Sequence, residues 1–116
     1  MPNPPPLAKQ NNGWRDRDPR NTSAWRKVRK AHRDIHPICQ RCSYLGTVTG
    51  DSTKRLSVHH IVGLDTANSE GGRYALCMDG NNLLTLCQAC HQRFDHMELY
   101  GMREEAEDEG KEIRDA

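Results

Sequence analysis

Apolar positions along the chain fall in short clusters, and their spacing changes from one cluster to the next. Trp25, Val28, Ala31 and Ile35 stand three and four residues apart, with Arg26, Lys27, Arg29, Lys30 and Arg33 between them. This predicts a helix that starts near Ser23, is capped by Thr22 or Ser23, and has an apolar side and a basic side. Pro37 ends it, because the residue before a proline avoids helical angles. Leu56–Val62 is rich in β-branched residues and is followed by Gly63, which predicts a strand. Leu83–Leu86 is a second short strand. From Cys87 to about Tyr100 a helix is expected, with Cys90, Phe94 and Met97 on one stripe and His91, Asp95 and Glu98 on the next.

The segments between are polar and turn-rich. Residues 1–13 hold prolines and asparagines with few apolar groups, as a disordered lead-in would. Trp14 to Thr22 is an irregular basic arm. Residues 43–55 are expected to form a loop, and 64–81, with Gly71-Gly72 and Asp79-Gly80, a long one. The acidic end, 103–116, either extends the last helix or frays. A single domain follows over 14–102: α+β, with a short hairpin and flanking helices.

Composition limits what can hold such a fold together. Of 116 residues 34% are hydrophobic and 5% aromatic, so a large oily core is excluded and another source of stability is needed. The net charge of +1 conceals an asymmetry: residues 9–55 carry 12 Lys/Arg against 4 Asp/Glu, while 103–116 carry 3 against 7. A basic front half suits a polyanion such as nucleic acid. There is no apolar run of membrane length and no secretory pattern at the N-terminus, so a cytoplasmic protein without membrane contact is expected. Its five cysteines are then read as thiols or metal ligands rather than disulfides.

Four of the cysteines form two C-x-x-C pairs, Cys39/Cys42 and Cys87/Cys90. Four thiolates around one ion make a closed structural zinc site, the missing source of stability. The 44 residues between Cys42 and Cys87 far exceed the gap of a simple zinc ribbon, so other elements are inserted between the knuckles. Cys77 stands alone and is read as a small buried or loop thiol. Trp14 and Trp25 are read as packing residues, and His32 and His36 as structural or surface ones.

The insert carries the chemistry. His59-His60 lies in an apolar strand, Asn82 precedes the second strand, and His91 directly follows the last cysteine. One imidazole of such a pair can bind a divalent ion while its neighbour takes a proton from water. Turning about 100° from Cys90 on a helix aims His91 away from the zinc, and Asp95 follows four residues later on the same face. Consecutive strand residues point to opposite faces, so His59 and His60 share a site only where the strand twists, bulges or ends.

The sequence resembles the HNH endonuclease family, whose fold is a ββα-metal motif, and is most similar to small free-standing members from bacteriophages and prophages. The resemblance rests on Val58-His59-His60-Ile61, Asn82 to Cys87, Cys87-Gln88-Ala89-Cys90-His91, the Trp25-Arg26-Lys27 helix and His36 to Cys42, and covers roughly 14–100. It implies a small zinc-stabilised ββα core with an N-terminal basic helix. His60 is then the general base, Asn82 ties the loop to the hairpin and orients that base, and His59 and His91 hold the catalytic ion. Asp95 is a further ligand, with His96 competing for that place.

The implied activity is hydrolysis of DNA phosphodiesters with one divalent ion (Mg²⁺, Mn²⁺, Ni²⁺ or Zn²⁺), leaving 5′-phosphate and 3′-hydroxyl ends. Double-stranded DNA is the expected partner. Arg26, Lys27, Arg29, Lys30, Arg33, Arg73 and Arg93 are expected to contact its phosphates, without reading sequence. A phage protein of this kind implies a terminase or portal partner and a role in DNA packaging, with a restriction-like or mobile-element role also open. Two readings compete: a zinc-stapled nucleic-acid binder without catalysis, and a zinc-built interaction domain whose acidic tail engages a partner.

Overall fold

A computed structural model describes residues 18–116. The expected lead-in over 1–13, Trp14, and the part of the basic arm that holds Arg15 and Arg17 lie outside the described residues. From Asp18 the chain makes a single 3-10 turn, Pro19–Asn21, held by the Asp18 carboxylate accepting from the Arg20 amide.

Helix α1, Ser23–Ile35, begins where the sequence places it, with the Thr22 hydroxyl accepting from the Trp25 amide at 3.1 Å. Its inward face differs from the expected one. Trp25 is buried and Val28 packs beside it, but Ala31 is exposed and Ile35 is 73% exposed. The stripe runs instead through Arg29 and His32. The ring of His32 lies 2.9 Å from the hydroxyl of Thr85, a fully buried residue of the second strand. A buried hydroxyl needs a partner, and this one selects a polar residue for the helix face.

Two further helices fall where loops are expected, the first of them only in its second half. Helix α2, Gln40–Leu45, is started by the Cys39 sulfur accepting from the Cys42 amide. It is closed by Gly46 in the left-handed conformation, φ 71°. Helix α3, Glu70–Met78, starts from Ser69, whose hydroxyl accepts from the Gly72 amide. Gly71 and Gly72 therefore sit in a capped first turn rather than breaking the chain.

Between them, strand β1, Ser57–His60, pairs antiparallel with β2, Leu83–Leu86, in the register His59 opposite Leu84 and His60 opposite Leu83. β1 is shorter than the predicted Leu56–Val62. Beyond His60 the amide of Val62 donates to the Asn82 side chain instead of to a strand. Helix α4, Gln88–Leu99, matches expectation.

The acidic end neither extends α4 nor frays. The chain reverses at Gly101, φ 78°, and forms helix α5, Arg103–Asp115, which buries Ala106, Gly110 and Ile113. A Cβ on Gly110 would stand 2.9 Å from a methyl of Ile61, so only glycine allows this approach.

The hairpin divides the interior into two apolar clusters. Leu84 and Leu86 face the four cysteines, Phe94, Ala106 and Ile113. Leu83 faces Trp25, Leu64 and Cys77. This is a small α+β fold: a two-stranded sheet and the helix after it, braced by helices from both ends of the chain.

Candidate metal centres and active site

The cysteines form the first centre. The knuckle before α2 and the one opening α4 bring Cys39, Cys42, Cys87 and Cys90 together, with all four sulfurs within 4.8 Å of one another. Cys42 Sγ lies 3.9 Å from the sulfurs of both Cys87 and Cys90. A tetrahedron with Zn–S bonds of about 2.3 Å has edges of about 3.8 Å, so the donor set fits a zinc ion. A disulfide would need the sulfurs at about 2.05 Å. Burial pushes the Cys90 thiol up to about 12. A bound cation would offset the cost of ionising such thiols. Arg41 lies 3.5 Å from the Cys90 sulfur and also donates to Glu109 of α5, which ties the C-terminal helix to this centre.

The second centre follows from the pleat. His59 shares the face of its partner Leu84 and meets α4. Its ring stacks on Phe94 at 5.1 Å and stands edge-on to His91 at 5.6 Å. Asp95, one turn after His91, completes a set whose ligand atoms lie within 4.8 Å of one another, and the His91 Nε2 to Asp95 Oδ1 distance is 3.8 Å. Two imidazoles and a carboxylate suit a divalent transition metal ion and leave coordination positions open. Burial, then the nearby His91 and His60, hold the His59 imidazole down at about 4, which keeps it neutral, the form that ligates. His96 is exposed and its ring neighbours Tyr100, away from this set.

His60 points to the other face. Its ring packs against Trp25 at 4.8 Å, and its Nε2 is 3.1 Å from the carbonyl oxygen of Cys77. A carbonyl can only accept, so Nε2 carries the proton and Nδ1 keeps its lone pair. Burial lowers the His60 pKa. The cavity, of about 470 Å³, takes in all four residues of β1, so both adjacent histidines line it, together with His91 and Asp95.

Asn82 is buried and fully used. Its Oδ1 accepts from Val62 N at 2.8 Å, and its Nδ2 donates to the carbonyls of Val62 and Leu76 at 3.1 and 3.0 Å. One amide side chain thus joins the segment leaving β1, the end of α3 and the start of β2.

The HNH endonuclease family model matches residues 39–96. The chain belongs to the HNH endonuclease family. The HNH match takes in both cysteine pairs, both histidines of β1, Asn82, His91 and Asp95. It leaves α1 and α5 outside. No curated protein and no solved structure matches the chain.

The basic residues separate into groups around the HNH centre. Arg29 and Arg33 of α1 line the cavity. Arg26 and Lys27 are exposed, as is Lys30, which pairs with Asp34 at 2.8 Å. Arg73 is buried and pairs with Asp18 at 3.4 Å, and Arg93 is held by Glu109. The charges of Arg73 and Arg93 thus already have carboxylate partners within the fold. Lys54 and Arg55 line a separate recess beside Cys87 and Gln88.

Sequence reasoning missed the contacts that hold the histidines: Phe94 under His59, and Trp25 with the Cys77 carbonyl around His60. The four-residue step from Trp25 to Arg29 was a signal that one face carries both, but the apolar spacing pointed elsewhere.

Proposed function

We propose that this HNH protein hydrolyses DNA phosphodiester bonds, with His59, His91 and Asp95 holding a divalent cation and His60 acting as general base. The observation that carries the reading is the pair of adjacent histidines parted by the pleat. One joins a three-donor set, and the other is fixed in a tautomer whose free nitrogen can take a proton from water. When bound, the cation supplies positive charge for the phosphate and the leaving oxygen.

The chain's own residues do the rest. Cys77 and Trp25 orient His60. Its Nδ1 accepts the proton of a water aligned for attack on phosphorus. Asn82 keeps the segment after β1 from shifting that base. Arg29 and Arg33 in the cavity wall, with Arg26, Lys27 and Lys30 outside it, supply positive charge for the DNA backbone. We assign zinc to the four cysteines, as a structural ion away from the reaction.

The test is plasmid cleavage with Mg²⁺, Mn²⁺ or Ni²⁺ added. Wild type should cut. His60→Ala should stay folded and zinc-loaded but inactive. Equal cutting by both would overturn the assignment, and a wild type that binds DNA without cutting it would leave only a metal-stapled binder.

The resemblance to small phage proteins supports a phage-encoded enzyme that works in the bacterial cytoplasm beside a terminase or portal. Co-purification with either from infected cells checks this, and DNA packaging that proceeds unchanged without the protein would overturn it.

A further inference from the structure

The cations around the active-site cavity are not equivalent. Arg20 and Arg73 share the Asp18 carboxylate, and Arg103 pairs with Asp65 at 3.0 Å. Among the described residues Arg29 and Arg33 are the cavity-lining arginines with no carboxylate partner. Arg29 is the more unusual of the two. Its Nε is buried and meets no acceptor. A guanidinium taken partly out of water without a counter-charge is costly, and a buried donor left unpaired adds to the cost. Such a group is retained where a ligand completes it, and a planar fork of donors matches the oxygens of a phosphate.

Its place on the helix sets which phosphate. Trp25, one turn earlier on the same face, packs on His60. Arg29 follows at i+4, about 6 Å further along the axis, and lines the cavity with His59 and His91. The helix that braces the base therefore also brings this guanidinium to the wall of the cavity that the base and the cation-site residues share.

We infer that Arg29 is a catalytic residue: its guanidinium contacts a non-bridging oxygen of the phosphodiester being cleaved, opposite the cation held by His59, His91 and Asp95. The inference rests on the hydrolase reading above. It adds a contact from a helix outside the family match, and it separates Arg29 from the arginines and lysines that only grip the backbone. As water attacks, negative charge grows on the non-bridging oxygens, and a fixed guanidinium stabilises that charge more than it stabilises the bound substrate.

The experiment separates grip from catalysis on one DNA duplex. Binding is measured without added divalent ion, and the single-turnover cleavage rate with Mn²⁺ at saturating enzyme. Arg29→Ala should lower the saturated rate by about 10²- to 10³-fold while affinity falls by less than about tenfold. Added methylguanidinium should restore part of the rate, and Arg29→Lys should fall between. Zinc content and the melting curve confirm the fold, and Arg29→Gln replaces the alanine variant if that one does not fold. An unchanged saturated rate with weakened binding would overturn the inference and leave the hydrolase standing. A wild type that binds the duplex but does not cut it would overturn both.

Discussion

The two candidate metal centres share one face of a short hairpin and one helix, α4, yet are built in opposite ways. The cysteine centre has four identical soft donors, all buried or nearly so, on two knuckles whose sequence separation spans the domain. It presents no open position. The histidine centre has three donors of two kinds, grading from buried His59 to exposed Asp95, at the edge of a cavity. A closed site holds a fold together and an open one leaves room for water and substrate. The contrast shows how a chain with so little apolar material can keep an accessible reaction site: the closed centre holds the fold, which leaves the neighbouring one free to stay open.

The contrast is broken most severely at the cysteines. Cys87→Ser should lose its zinc and its cooperative melting transition, because metal binding and folding are one equilibrium in such small domains. Metal analysis and circular dichroism check this. A folded, metal-free variant would show that the apolar clusters suffice.

At the other centre the fold should survive and the chemistry should not. His60→Ala is expected to lower the cleavage rate by about 10²- to 10⁴-fold, the range of a lost general base, with zinc content unchanged. Parallel loss of zinc would show that the two centres are not independent.

A smaller effect tests the brace that α5 provides. Gly110→Ala drives a methyl group into Ile61, and should destabilise by about 1–3 kcal/mol, seen as a lower melting temperature. Activity per folded molecule should be unchanged, because neither Gly110 nor Ile61 lines the cavity.

The smallest effect sharpens the comparison from the α1 side. Burial, then the nearby His36, hold the His32 imidazole down at about 4, against about 6.5 when unfolded. The neutral form is favoured by folding, so its contribution is complete above pH 6.5 and is lost as pH falls towards 4. Denaturant titrations across that window should show stability falling with pH, and the slope should be shallower in His32→Asn. The half-exposed ring makes the effect modest.

Legibility in the sequence followed the same division. Both strands, α1, α4 and the paired cysteines could be read because cap, periodicity and ligand spacing are local signals. Helix α3 could not, since Gly71-Gly72 suggests a turn unless Ser69 is known to cap it. The packing of α5 depends on Gly110 meeting Ile61, 49 residues earlier, and no spacing within 103–116 reveals that partner. The inward face of α1 departs from its apolar spacing for the same reason: His32 answers Thr85, and only the folded hairpin brings them together. At the histidine centre the residue types were legible, but the tautomer of His60 depends on a backbone carbonyl, which has no signature in the sequence.

The adjacency of His59 and His60 has a mechanical consequence. Their Cα atoms are joined by one planar peptide and stand about 3.8 Å apart in any conformation the strand adopts. No hinge, loop or sliding interface intervenes between the arm that would anchor the ion and the arm that would deprotonate water. Movement of the surrounding helices therefore carries the two backbones together: covalent geometry fixes the spacing of their Cα atoms, and packing on Phe94 and Trp25 sets the directions of the rings.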